Sequence, residues 1–296
     1  MKDGEGSAGA ASGSAASASV QGGPDAAGVS SAGRLERALF LQGAEIRGRY
    51  AARRPAQTLD FFSLEPGMTV VEVTPEGGWY SRILYHYLSS EGVLVGADYP
   101  LSLYRLFDYY SEDELAAKEV WSTTWPVEVL TWGEGGAADT PAVDAFNLGS
   151  LPERVQGKAD AVLFIRALHS LQAYESTGGY LGAAIADAFA ALKPGGIVGV
   201  VQHMGPESAS DAWANGDNGY LKKSAVIRAF EQAGFVLDAE SDHNENPLDM
   251  PGEDDYVWRL PPTLEDAEDP VLKARYEAIG ESNRMTLRFK KPPSSS

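Results

Sequence analysis

Thr69-Val70-Val71-Glu72-Val73-Thr74-Pro75-Glu76-Gly77-Gly78-Trp79-Tyr80 decides the fold. A β-branched run around one acid gives way to a Pro-containing turn and two glycines, and Tyr80-Ser81-Arg82-Ile83-Leu84 continues as a helix. The pattern is strand, tight glycine turn, helix N-terminus. In an open α/β sheet this junction sits beside the point where strand order reverses, and ligands bind there. The glycines let the backbone approach a ligand closely, and the helix start offers unpaired N–H groups.

Upstream of this junction, Leu35, Ala38, Leu39, Leu41 and Ile46 fit one helical face broken at Gly43, and Thr58 to Phe62 make a second short helix before Glu65-Pro66-Gly67. Downstream, Val93 to Asp98 is a second strand that ends on an acid. Residues 101–126 read as one or two helices, with Trp121, Trp125 and Trp132 close to Val127-Glu128-Val129-Leu130, the expected third strand, and a polar loop over 133–158. Ala161-Val162-Leu163-Phe164-Ile165 is a continuous apolar run, as a strand buried on both faces requires. A helix from Gly182 to Leu192, a strand Ile197 to Val201, a helix Leu221 to Ala233, a strand Phe235 to Ala239 and a last strand Met285 to Phe289 complete the alternation. Strand–helix alternation predicts a Rossmann-like, doubly wound α/β sheet.

Residues 1–33 are Gly, Ala and Ser with a few charges, which predicts a disordered tail, as does 293–296. Residues 34–292 form the expected domain, with N-terminal helices over 34–64 and a lid-like insertion over 240–283. The tail is read either as a plain spacer of a cytoplasmic protein or as the segment following the anchor of an exported, lipoprotein-like form.

The chain of 296 residues is 44% hydrophobic and carries a net charge of −18. That charge repels phosphate backbones and argues against a nucleic-acid partner. No apolar run reaches the ~18 residues of a membrane span. There is no cysteine, which removes disulfides, thiolate metal sites and thiol nucleophiles together. The expectation is a soluble acidic protein acting on a small molecule.

Several segments carry a resemblance. The acid before the glycine turn, the second strand ending at Asp98, Leu192-Lys193-Pro194-Gly195-Gly196 before the fifth strand and the Ala233-Gly234-Phe235 junction resemble class I S-adenosylmethionine-dependent methyltransferases. Phe164-Ile165-Arg166-Ala167-Leu168-His169, Asn244 to Pro247, Val257 to Pro262 and Gly280 to Leu287 look like one group of bacterial methyltransferases, many of them exported. The resemblance covers about residues 35–292 and implies a seven-stranded, mostly parallel sheet with an antiparallel last strand. It implies S-adenosyl-L-methionine as cofactor, with Glu72, Thr74, Gly77 and Gly78 along its methionine portion and Asp98 receiving the ribose hydroxyls. Thr74 and Glu76 stand where the family places glycines.

Arg166 and His169 follow the central strand, where an acceptor would meet the methyl group. His169 either deprotonates the acceptor or is satisfied by local hydrogen bonds, and Glu72 either meets the ligand or caps the next helix. The four histidines show no metal spacing, and a calcium-like run from Asp242 has Pro247 where the loop needs glycine. Gly133-Glu134-Gly135 echoes a dinucleotide fingerprint, which Pro141 interrupts. The alternatives to a methyltransferase are a non-catalytic binding protein on the same fold and a nicotinamide-dependent oxidoreductase.

Overall fold

A computed structural model describes residues 30–133 and 139–293. Most of the 1–33 tail, the residues of the Gly133 fingerprint after Gly133, and 294–296 lie outside the described residues; Ser31 to Gly33 open the helix Ser31–Phe40.

Seven strands form one sheet: β1 (Thr69–Val73), β2 (Val93–Asp98), β3 (Ala142–Asn147), β4 (Ala159–Ile165), β5 (Leu192–His203), β6 (Val236–Ser241) and β7 (Arg284–Lys290). Their order is β3-β2-β1-β4-β5-β7-β6. β1 pairs in parallel with both β2 and β4, while β7 runs antiparallel between β5 and β6. The order reverses between β1 and β4, so a crevice opens beyond their C-terminal ends.

Side-chain alternation along β1 sorts the core. Val71 and Val73 join Phe164, Ile185, Val200 and Phe230 on one face. Val70 joins Leu59, Phe62, Ile83, Leu84, Leu163 and Trp125 on the other. Glu72 falls on the second face in register with Gly96 of β2 and Leu163 of β4, beneath the helix Trp79–Tyr87. A carboxylate in that place needs a partner from the helix.

The third strand is not Val127–Leu130. Those residues lie in the helix Trp121–Thr131, and the edge strand is β3, inside the stretch read as a polar loop. Trp121, Trp125 and Val129 recur every four residues and pack one helical face, with Trp125 and Val129 buried, while Val127 and Leu130 are exposed at 65% and 58%. Three apolar residues around Glu128 suit either element; the eleven-residue span decides for a helix. Gly96 seats it: a Cβ there would stand 2.8 Å from the Trp125 ring and 2.9 Å from Trp121. β3 escaped notice because an edge strand with Asp144 and Asn147 lacks the apolar run of a central one.

Candidate active site

The glycine turn is built from left-handed backbone. Thr74 (φ 50°), Gly77 (φ 59°) and Gly78 (φ 69°) swing the chain from β1 into the helix Trp79–Tyr87, and the Thr74 N–H donates to Ala97 O at 2.7 Å. Arg166, one residue past β4, also has positive φ, 59°. A β-branched residue in this region is rare, and each costs about 1–2 kcal/mol of strain. Both strained residues stand at the crevice, where such strain commonly serves a site.

A cavity of about 130 Å³ lies between them, lined by Glu72, Thr74, Arg166, His169, His203 and Trp258 among others. A second cavity, of about 300 Å³, lies across the turn against Gly77, Gly78, Asp98, Lys118 and Trp121. Glu76, exposed, borders both. The residues singled out along the sequence therefore divide into two groups on either side of the turn.

Glu72 is 4% exposed, and the Ser81 hydroxyl donates to its carboxylate. Burial pushes its pKa up to about 7, against the pull of that hydrogen bond and of Arg166. Native Glu72 holds its proton more tightly than the unfolded chain does. Its stabilising share is whole below the unfolded pKa of about 4.5 and is lost as pH rises through 7. His169 acts in the opposite sense: burial lowers it to about 4, so stability falls as pH drops from about 6.5 towards 4. The difference between two variants isolates Glu72. We expect Glu72→Gln to gain about 3 kcal/mol relative to wild type between pH 5 and pH 8 in urea unfolding. Parallel curves for the two proteins would contradict this.

Asp98 ends β2 and is 1% exposed. Its Oδ1 accepts from the Tyr99 N–H at 2.9 Å and the Tyr104 hydroxyl at 2.6 Å, and Oδ2 accepts from Lys118 Nζ at 2.9 Å. Lys118 Nζ also donates to the Tyr104 oxygen at 2.7 Å. Neither Lys118 nor Tyr104 was singled out along the sequence. The Ser111–Glu114 capping box was the available signal, since it starts the helix Glu112–Glu119 that carries Lys118.

His169, in the helix Leu168–Ala173, is 9% exposed. The Gln202 amide nitrogen donates to Gly219 O at 3.0 Å and lies 3.4 Å from His169 Nδ1. The bond to Gly219 orients the amide, so Nδ1 accepts and the neutral ring carries its proton on Nε2. His203 is tied through Nδ1 to Ser282 Oγ at 2.6 Å and is also held neutral by burial. The Arg166 N–H donates to Val201 O at 2.7 Å, but its side chain makes no hydrogen bond or ion pair among the described residues, leaving a free guanidinium in the small cavity. Trp258, from the 240–283 segment, lines this cavity and a larger neighbouring one. Among the described residues no group of His, Asp and Glu could hold a metal ion, and no helix is long and apolar enough to cross a membrane.

The strand order, with β7 reversed between β5 and β6, is that of the class I methyltransferase fold. No family profile and no curated protein matches the chain. Solved structures similar to it include the cyclase SpnF, 16% identical over 82% of this chain and 81% of that one with a TM-score of 0.47. A SAM-dependent methyltransferase from Aquifex aeolicus is 12% identical over 87% and 98%, with a TM-score of 0.48. The Burkholderia thailandensis 1,6-didemethyltoxoflavin-N1-methyltransferase is 12% identical over 87% and 82%, with a TM-score of 0.42. At these identities and scores the fold assignment stands on the strand order itself.

Proposed function

We propose that the protein is an S-adenosyl-L-methionine-dependent methyltransferase with a small-molecule acceptor. The observation that carries this reading is the pair of cavities on either side of the glycine turn, one holding Asp98 and the other Glu72, Arg166 and His169. A ligand lying across the turn would meet a diol acceptor at one end and a free guanidinium at the other. Bound there, the cofactor would supply an activated methyl group on sulfur. Asp98 would take the ribose hydroxyls, and Arg166 would face a carboxylate. Gly77 and Gly78 would let the chain pass close to the ligand. His169, with its proton on Nε2 and a pKa lowered to about 4, positions an acceptor better than it deprotonates one. Displacement on a sulfonium depends chiefly on alignment, which such positioning supplies.

A second reading, a binding protein that keeps the fold without turnover, draws support from the Asp98 carboxylate. Three donors already occupy it. A ribose diol needs two acceptor positions, so Lys118 must move for the cofactor to seat. Calorimetric titration with S-adenosyl-L-methionine tests both readings. The methyltransferase reading expects micromolar binding that Asp98→Ala abolishes and Lys118→Ala strengthens several-fold by freeing the carboxylate. No binding at millimolar cofactor to wild type or to Lys118→Ala would leave the second reading. Thermal stabilisation by a nicotinamide nucleotide instead would point to the oxidoreductase alternative, because only a native-state ligand raises the melting point.

A further inference from the structure

A larger cavity, of about 450 Å³, is bordered by His169. Its walls are Phe107, Tyr109, Tyr174 and Trp258, and its charged lining residues are the exposed carboxylates Asp217 and Glu265. Phe107 and Tyr109 stack with ring centroids 5.5 Å apart and 13° between planes, and Tyr174 meets Phe107 edge-on at 5.5 Å. No Lys or Arg lines it. The two carboxylates are placed by backbone: the Glu265 N–H donates to Trp258 O at 3.0 Å, and Asp217 follows Gly216, which lies directly on the His169 carbonyl. His169 and Trp258 line both this cavity and the small one, so they stand between the two.

Aromatic faces and carboxylates without a base make a surface that favours a flat cation and disfavours an anion. The net charge of −18 acts in the same direction. Between the two cavities the His169 ring presents Nε2–H, a donor, so it gives no help in removing a proton from a hydroxyl there. A nitrogen lone pair needs none.

We infer that the acceptor is a flat nitrogen compound, an N-heterocycle or arylamine, held in the aromatic cavity and methylated on nitrogen. In this step the nitrogen lone pair forms the new N–C bond as the C–S bond breaks. The bonding electrons return to sulfur, giving the neutral thioether S-adenosylhomocysteine. Positive charge passes from sulfur to nitrogen; a nitrogen that bore hydrogen then loses a proton to water. Trp258, Asp217 and Glu265 face the charge as it arrives. This inference rests on the methyltransferase reading for the transfer, while the cation preference of the cavity stands on its own geometry.

The test is therefore a binding experiment on the full chain without cofactor. N-methylquinolinium, its uncharged isostere 1-methylnaphthalene, quinoline and naphthalene-1-carboxylate are titrated by NMR. The cation should bind about tenfold more tightly than the isostere, and the carboxylate weakest. The double variant Asp217→Asn/Glu265→Gln should bring the cation most of the way towards the isostere, and Trp258→Leu should weaken the cation more than the isostere. Equal affinity for cation and isostere, or a preference for the carboxylate, overturns the inference. Cation selectivity with no cofactor binding would overturn the methyltransferase reading and retain the cavity assignment. Cofactor binding with no cation selectivity would do the reverse.

Discussion

Replacing Glu281 by Ala should cost the fold about 3–5 kcal/mol, the range found when one partner of a buried ion pair is removed. The Glu281 side chain is 8% exposed and receives three arginines: Arg49 at 2.8 Å, Arg53 at 3.0 Å and Arg284 at 2.9 Å. Arg53 and Arg284 are themselves 6% and 3% exposed. Burial alone would raise the Glu281 pKa; Arg284 and Arg53 outweigh it and hold the carboxyl below its usual value. Without it, guanidiniums remain in the interior with no counter-charge, beside the free Arg166. Glu281→Gln keeps the volume and some of the hydrogen bonds, so its cost should be smaller. Thermal unfolding reads the outcome, with a drop of about 10 °C expected for the alanine variant. A drop under ~2 °C would mean that the arginines regain water cheaply. The same contacts fix a pH sign. A depressed carboxyl stabilises above its unfolded pKa and loses that share as pH falls through the native one, so acid should act here much as the alanine does.

Gly216→Ala should be nearly as damaging, for a different reason. Gly216 has φ +103°, and a Cβ there would fall 2.2 Å from the His169 carbonyl oxygen and 3.1 Å from its carbon. Neither atom belongs to a flexible side chain, so the helix bearing His169 must shift. Left-handed strain and forced displacement together predict about 3–5 kcal/mol. Gly77→Ala is the internal control, since Gly77 also has positive φ but nothing within 4 Å of its would-be Cβ. It should lose only about 1 kcal/mol. Similar unfolding midpoints for the two variants would show that the contact at Gly216 relaxes. The Gly216 variant should also lose cation binding in the aromatic cavity, because that position ties the loop of Asp217 to His169.

The contrast between these residues explains what the sequence disclosed. Glu72, Asp98 and Arg166 were found because parallel strands announce themselves by apolar runs, and the chemistry of an α/β sheet collects where such runs stop. The turn at Gly77 and Gly78 was legible from residue type alone. Lys118 and Asp217 were not, because they sit on connections whose position depends on what they pack against. Trp258 fell within the expected lid-like insertion over 240–283; its place on two cavities at once is a tertiary fact. The misreading at Val127–Leu130 has a similar source. A short apolar run carries no period, and the tryptophans that settle the matter, Trp121 and Trp125, precede those four residues rather than lie within them. Glu281 stood inside the quoted run Gly280 to Leu287, yet its partners Arg49 and Arg53 lie 232 and 228 positions away.

The place of β7 bears on the order in which the molecule can be assembled. During synthesis β1 to β5 emerge with their neighbours to hand, and a parallel half-sheet can begin to form. β6 comes out next and has nothing to pair with, since its sheet neighbour is β7, made more than forty residues later. Until then the outer edge of β5 stays open, and the arginines near the start of the domain wait for a carboxylate that has not been translated. Closing such long loops makes folding slow relative to a fold of local contacts. The nascent chain thus spends its longest interval with a half-built sheet and an open edge, the state most exposed to mispairing and to chaperones.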